Sequence, residues 1–153
     1  MTTTIDVLPD DVLLCTFLVA KEHHSEKHPQ IVISQVCKRW RNLALSNPLL
    51  WNKLYLENNG PEDGTTICLR IAQTLSQRSS PLLMDVVIKA EFRTLPYGRI
   101  LEPCASRIRS LDINRVSIQF NDLKRLLEEI GPHATNLRSV KLPRCDNRDD
   151  EED

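Results

Sequence analysis

The chain has 153 residues, 41% apolar and 27% charged, with a formal net charge of −1. That composition fits one compact globular domain or two small ones with a modest core. No segment of the sequence approaches the roughly 20 apolar residues needed to span a bilayer. The charge is unevenly spread. The last eight residues, "DNRDDEED", hold six acids and one arginine, so the remainder is net +4, mild for a nucleic-acid binder.

The start, "MTTTIDVLPDD", lacks the positive n-region and apolar run of a signal peptide. The expected compartment is therefore a reducing one, cytoplasm or nucleus. The five cysteines are odd in number and form no C-x-x-C pair, so neither a disulfide framework nor a zinc site is expected. No metal or other cofactor is expected. His23, His24 and His28 in "KEHHSEKHPQ" read as solvated loop residues.

The first helix opens at "LPDD". Pro9 suits a first helical position because its missing N–H has no partner there. Asp10 and Asp11 favour the positive end of the helix. The run Val12 to Ala20 has Thr16 as its one polar residue. A helix apolar on nearly every side needs cover on two faces, and a partner is one source of cover. The segment Lys21 to His28 reads as a polar loop.

Pro29 restarts helix. Val32, Ile33, Val36, Cys37, Trp40, Leu43 and Ala44 recur at spacings of three and four. Lys38, Arg39, Arg41 and Asn42 fall opposite, as a solvated face. "SNP" stops the helix, with Asn47 a new N-cap and Pro48 a first helical residue.

"LYL" at Leu54 to Leu56 alternates like a strand, and "ENNGPEDGTT" is turn-rich. "ICLRIAQTLSQRSS" has helical period, with Ile67, Ile71, Ala72 and Leu75 on one face. "PLLMDVVI" reads as a buried strand. Residues 101–113, "LEPCASRIRSLDI", align without gaps on 130–142, "IGPHATNLRSVKL". Each ends in the spacing L-x-x-L-x-L. That spacing also fits Leu83, Val86 and Ile88, and more loosely Trp51, Leu54 and Leu56. The steps of 32, 25 and 29 residues fit one strand and one helix per unit, as in a leucine-rich repeat. An ordinary small α/β core is the plainer alternative.

"LPDDVLLCTF" followed by "VISQVCKRWRNLALSNPLLW" resembles an F-box, and with the repeat-like half it resembles the F-box and leucine-rich-repeat proteins numerous in mushroom-forming fungi. The resemblance implies an α+β to α/β mixed fold: a three-helix F-box, then a short array of parallel strands and helices. It divides the chain into a tail (1–7), an F-box (8–56), a linker (57–66), a repeat-like segment (67–145) and an acidic tail (146–153). It implies a non-enzymatic substrate receptor that binds a Skp-family adaptor and brings a protein target to an SCF-type ubiquitin ligase built on a cullin and a RING protein. Carried onto this chain, the adaptor-facing residues are Leu8, Pro9, Val12, Leu13, Phe17, Val36, Cys37, Trp40 and Leu43. Trp51 is expected to tie the F-box to the repeats. The usual Glu of the opening motif is Asp11 here, and the usual Ile before the Phe is Thr16.

Strand parity points Leu111 and Ile113 inward. It places Asp85, Val87, Lys89, Ser110, Asp112, Asn114, Ser139, Lys141 and Pro143 on the opposite face, the expected target surface. Two other readings remain at this point. One is a basic-helix nucleic-acid module centred on Trp40, Lys38, Arg39 and Arg41. The other is an F-box scaffold acting outside a ligase.

Overall fold

A computed structural model describes residues 7–23, 28–57, 64–89, 96–113 and 120–142. Asn114, Pro143, His24 and the acidic tail lie outside the described residues.

Three helices come first: α1 (Asp10–His23), α2 (Pro29–Val36) and α3 (Lys38–Ser46). Helix α1 runs three residues past the expected end, because Lys21 is a buried anchor rather than a loop residue. Its inward row is Leu13, Phe17 and Lys21, one residue every four. The periodic run from Pro29 to Ala44 is two helices, not one. Cys37 breaks it in extended conformation, at φ −154° and ψ 171°, and its Sγ accepts from the Trp40 N–H at 3.5 Å, capping α3. On α2 Ile33 is buried while Val32 and Val36 are not, and on α3 Ala44 is buried.

A 3-10 turn, Pro48–Leu50, capped by the Asn47 side chain on the Leu49 N–H, leads into β1 (Lys53–Leu56). Then follow α4 (Gly64–Ser79), β2 (Met84–Ile88), α5 (Tyr97–Leu101) with a 3-10 turn over Glu102–Arg107, β3 (Ile108–Asp112), α6 (Phe120–Ile130) and β4 (Ser139–Lys141). The four strands are parallel, in the order β1-β2-β3-β4. Register pairs Lys53 with Asp85, Asp85 with Ser110, and Ser110 with Ser139. These are the same 32-, 25- and 29-residue steps as in the sequence.

The inward rows Leu54 and Leu56, Val86 and Ile88, Leu111 and Ile113 are all fully buried. In β2 the first inward residue is Met84, not Leu83, because the strand alternates strictly. In β3 the x-x of L-x-x-L is a bulge. Ile108 pairs with Met84, Ser110 with Asp85, and Arg109 is the extra residue. Helix α4 covers the sheet with Cys68, Ala72 and Leu75. Of the expected face, Ala72 and Leu75 are buried and Ile71 packs against the core, while Ile67 is exposed and Cys68 takes its place. Gly98 lets α5 approach α6, where a Cβ would come 2.8 Å from the Glu129 Cβ.

Arg107 ties α4 to β3. Its guanidinium donates to Ser79 Oγ at 3.2 Å, to the Leu82 carbonyl at 3.1 Å, to Ser76 Oγ at 2.6 Å and to the Ser76 carbonyl. The Ser76 carbonyl is among the last four of α4, which have no intrahelical backbone donor, and the Ser79 hydroxyl also reaches it at 3.3 Å. Replacing Arg107 by Met keeps the stem and removes the four guanidinium bonds. The expected loss is about 2–3 kcal/mol, from the strength of hydrogen bonds to a charged group. Urea titration followed by circular dichroism checks it.

Candidate docking surfaces

Two surfaces stand out, one on the helical module and one on the sheet. Of the residues expected on the first, Leu13 and Phe17 are buried inside the module. They belong to the core of the module in the free chain. Phe17 packs on Trp40, ring centroids 4.8 Å apart at 56°, and Trp40 and Leu43 are half-buried against the same core. Leu8 is also half-buried, its carbonyl accepting from Arg39. Pro9, Val12, Val36 and Cys37 are exposed.

Other apolar residues of the helical end, missing from the expected set, are exposed as well: Val7, Val19, Val32, Leu45 and Leu49. Helix α1 thus shows Val12 and Val19, seven residues apart, and α2 shows Val32 and Val36, four apart. The signal was present: β-branched residues at i+7 and i+4, offset from the inward rows. Thr16, also exposed, returns its hydroxyl to the Val12 carbonyl at 2.9 Å, the usual outlet for a helical threonine.

The basic residues beside Trp40 are not a free cationic face. Arg39 bonds Asp10 Oδ1 through Nε at 2.9 Å and through a terminal nitrogen at 2.6 Å. Arg41 Nε donates to the Ser34 carbonyl at 2.9 Å, joining α2 to α3. These contacts divert two of the three cations from the phosphates that a nucleic-acid reading requires.

The helical module and the sheet are joined by specific contacts. Trp51 is fully buried. Its Nε1 donates to the Ala44 carbonyl at 2.7 Å, and the Arg78 guanidinium lies 4.3 Å from its ring centroid. Lys21 Nζ donates to the Leu49 carbonyl at 2.6 Å and to Asn52 Oδ1 at 2.5 Å. Burial pulls the Lys21 ammonium below its ordinary value despite Glu22 nearby.

His28, expected in solvent, is half-buried at the same junction. Nε2 lies 3.1 Å from the Tyr55 carbonyl, and Nδ1 lies 3.3 Å from Gln30 Nε2. The neutral ring satisfies both, donating from Nε2 and accepting at Nδ1. Burial lowers the imidazole pKa, outweighing the Tyr55 carbonyl and Glu57. The neutral form is therefore the one the fold favours. Its contribution is complete above the ordinary value of 6.5 and is lost as pH falls through the lower folded value. Urea midpoints are expected to drop between neutral pH and pH about 5. A His28→Gln variant is expected to flatten that dependence.

On the sheet, the residues facing away from the helices come together. Lys53, Tyr55, Asp85, Val87, Lys89, Ser110, Asp112 and Lys141 line one shallow concavity of about 300 Å³. Ser139 lies in the same register row as Ser110 and is exposed. The charges alternate in sign. Arg109 grips Asp85 with two nitrogens, at 3.1 and 2.6 Å, and Ser110 Oγ donates to the same carboxylate at 2.6 Å. Burial alone would raise the Asp85 carboxyl, but these donors outweigh it and hold it below the usual carboxylate range. Lys89 lies 3.5 Å from Glu57, and Lys141 lies 3.7 Å from Asp112. Tyr55 sits between Lys53 and Lys89, whose ammonium groups are 5.4 and 5.8 Å from its ring centroid. Tyr55 was not among the expected face residues, although parity with Lys53 places it there.

Among the described residues no group of His, Cys, Asp and Glu is arranged to hold a metal. The buried Cys104 thiol is pushed up to about 11 by burial, against the pull of Arg107. No described helix is long and apolar enough to cross a membrane.

Residues 5–57 match the F-box-like family model, so the chain carries an F-box-like domain at its helical end. No curated protein and no solved structure matches the chain.

Proposed function

We propose that the chain is an F-box substrate receptor. Its helical module docks a Skp-family adaptor, and the concave sheet face holds a protein target for an SCF-type ubiquitin ligase in the cytoplasm or nucleus. The observation that carries this is the F-box-like match over residues 5–57, since F-box domains as a family bind such adaptors. The exposed valines of α1 and α2 supply the apolar surface that docking needs. In this reading the chain performs no chemistry of its own. It sets the distance between a bound target and a transfer centre elsewhere in the assembly.

The sheet half reads as a short leucine-rich-repeat array. Support comes from one parallel strand per unit and a fully buried aliphatic row continuing through β1, β2 and β3. The Trp51, Lys21 and His28 contacts suit a receptor, because they fix the sheet to the adaptor-binding module.

Co-expression with a Skp-family adaptor tests the reading. Co-purification in a defined ratio is expected, together with a higher unfolding temperature by linkage. A chain that never co-purifies and gains no stability from adaptor sinks it. Ubiquitination of a captured target in a reconstituted ligase separates a receptor from a plain scaffold.

A further inference from the structure

We propose that the open edge of β4 accepts an added strand from a partner protein, an extended segment alternating aliphatic and acidic residues. This site is the sheet edge; it shares Lys141 with the concave face and does not depend on the adaptor surface.

The two edges of the sheet differ. At β1 one outward group is already engaged, the Tyr55 carbonyl, on which His28 sits at 3.1 Å. At β4 the Ile113 N–H donates to the Lys141 carbonyl at 2.9 Å. Lys141 therefore turns its peptide groups to β3. Alternate residues face alternate sides, so Val140 turns its N–H and C=O outward. Among the described residues nothing pairs with that edge.

The side chains tell the same story. Val140 continues the row of Val86 and Leu111, which are fully buried, yet Val140 is 38% exposed. Leu142, next in the inward parity, is 50% exposed. The core stops one strand short of covering its own last row. An added strand supplies aliphatic side chains to Val140 and Leu142 while its backbone pairs with Val140.

Charge selects the occupant. Arg138 and Lys141 bracket Val140, and both are exposed. The Lys141–Asp112 contact, at 3.7 Å with the lysine 66% exposed, contributes little and leaves the ammonium free to turn to an incoming carboxylate. Pairing with a second copy of β4 sets two Arg138 and two Lys141 in one short ladder, where like charges repel. An acidic strand meets the same edge with attraction.

The test uses the full chain and a fluorescent synthetic peptide of alternating valine and glutamate, read by anisotropy. Val140→Pro removes the outward N–H without touching the bonds to β3, since proline is tolerated where the N–H faces away from the ladder. It is expected to weaken binding about tenfold, one hydrogen bond's worth, while Val140→Thr binds like the parent. Lys141→Glu is expected to lose the valine–glutamate peptide and gain a valine–lysine one. Equal binding by the parent and Val140→Pro overturns the proposal, as does no binding by the parent. A dimer in sedimentation that Val140→Pro dissociates also overturns it, by assigning the edge to a second copy.

Discussion

Replacing Trp51 by Ala is expected to lower stability by about 3–5 kcal/mol, the range for removing a large buried aromatic. That is a large share of what a domain of this size holds. Trp51 is fully buried where three structures meet: α3 through the Ala44 carbonyl, α4 through Arg78, and β1 through the chain itself. Its loss leaves a cavity and takes from the Ala44 carbonyl its shorter bond, leaving only the Asn47 N–H at 3.4 Å. Trp51→Phe separates the two. It keeps most of the packing and loses the Nε1–H donor, for an expected cost of about 1–3 kcal/mol. Trp40 remains in both variants as a fluorescent reporter inside the helical module. Because the junction is shared, Trp40 emission and far-ultraviolet circular dichroism are expected to shift to the same lower urea midpoint. A Trp51→Ala protein that unfolds in two separated steps, with the Trp40 step unmoved, refutes the joint.

How much of this was legible in the sequence depends on which physical signal each element left. Strand parity is a period of two, and a one-residue slip would bury charges. Leu54, Val86, Leu111 and their partners two residues on were therefore readable, and the register followed from their spacing. Helix faces were read less well. Ile67 and Cys68 are neighbours, and an apolar residue at either fits a helical row. The count of turns from Ala72 and Leu75 selects Cys68, and the larger Ile67 misleads. The break at Cys37 was hidden because the capping group is a thiol, which resembles a core residue in composition.

The polar joints left no local signal at all. Lys21, His28 and Arg107 bond to backbone carbonyls 25 to 31 residues away, and a carbonyl has no side-chain identity to read. Of the expected adaptor residues, Leu13 and Phe17 drew notice for size, and size placed them in the core. Val19 and Val32 are smaller and sit outside it. The last strand differs from the three before it in burial. The sequence pattern of Leu137, Val140 and Leu142 matches the buried rows before it, but burial needs a following layer as well as a pattern.

Substituting Val32 and Val36 by Asp is expected to weaken adaptor binding by about 100-fold or more while leaving the fold intact. Val32 is 64% and Val36 57% exposed on α2, one turn apart. Surface substitutions of this kind shift stability by about 0.5 kcal/mol or less, and Val and Asp have similar helix propensities. In a docked complex the same carboxylates are stranded in an apolar interface. Burying an unpaired charge costs several kcal/mol, and about 1.4 kcal/mol is already tenfold in affinity. Phe17→Ala is the contrasting variant. It removes a buried ring from the contact with Trp40, so its loss of adaptor binding is expected to track a loss of stability of about 3–5 kcal/mol. The pair distinguishes surface from support, with calorimetric titration of adaptor against each variant and urea titration of each alone. Full affinity retained by the α2 double variant moves the docking face away from Val32 and Val36. Phe17→Ala losing affinity at unchanged stability puts Phe17 back at the interface, against its burial in the free chain.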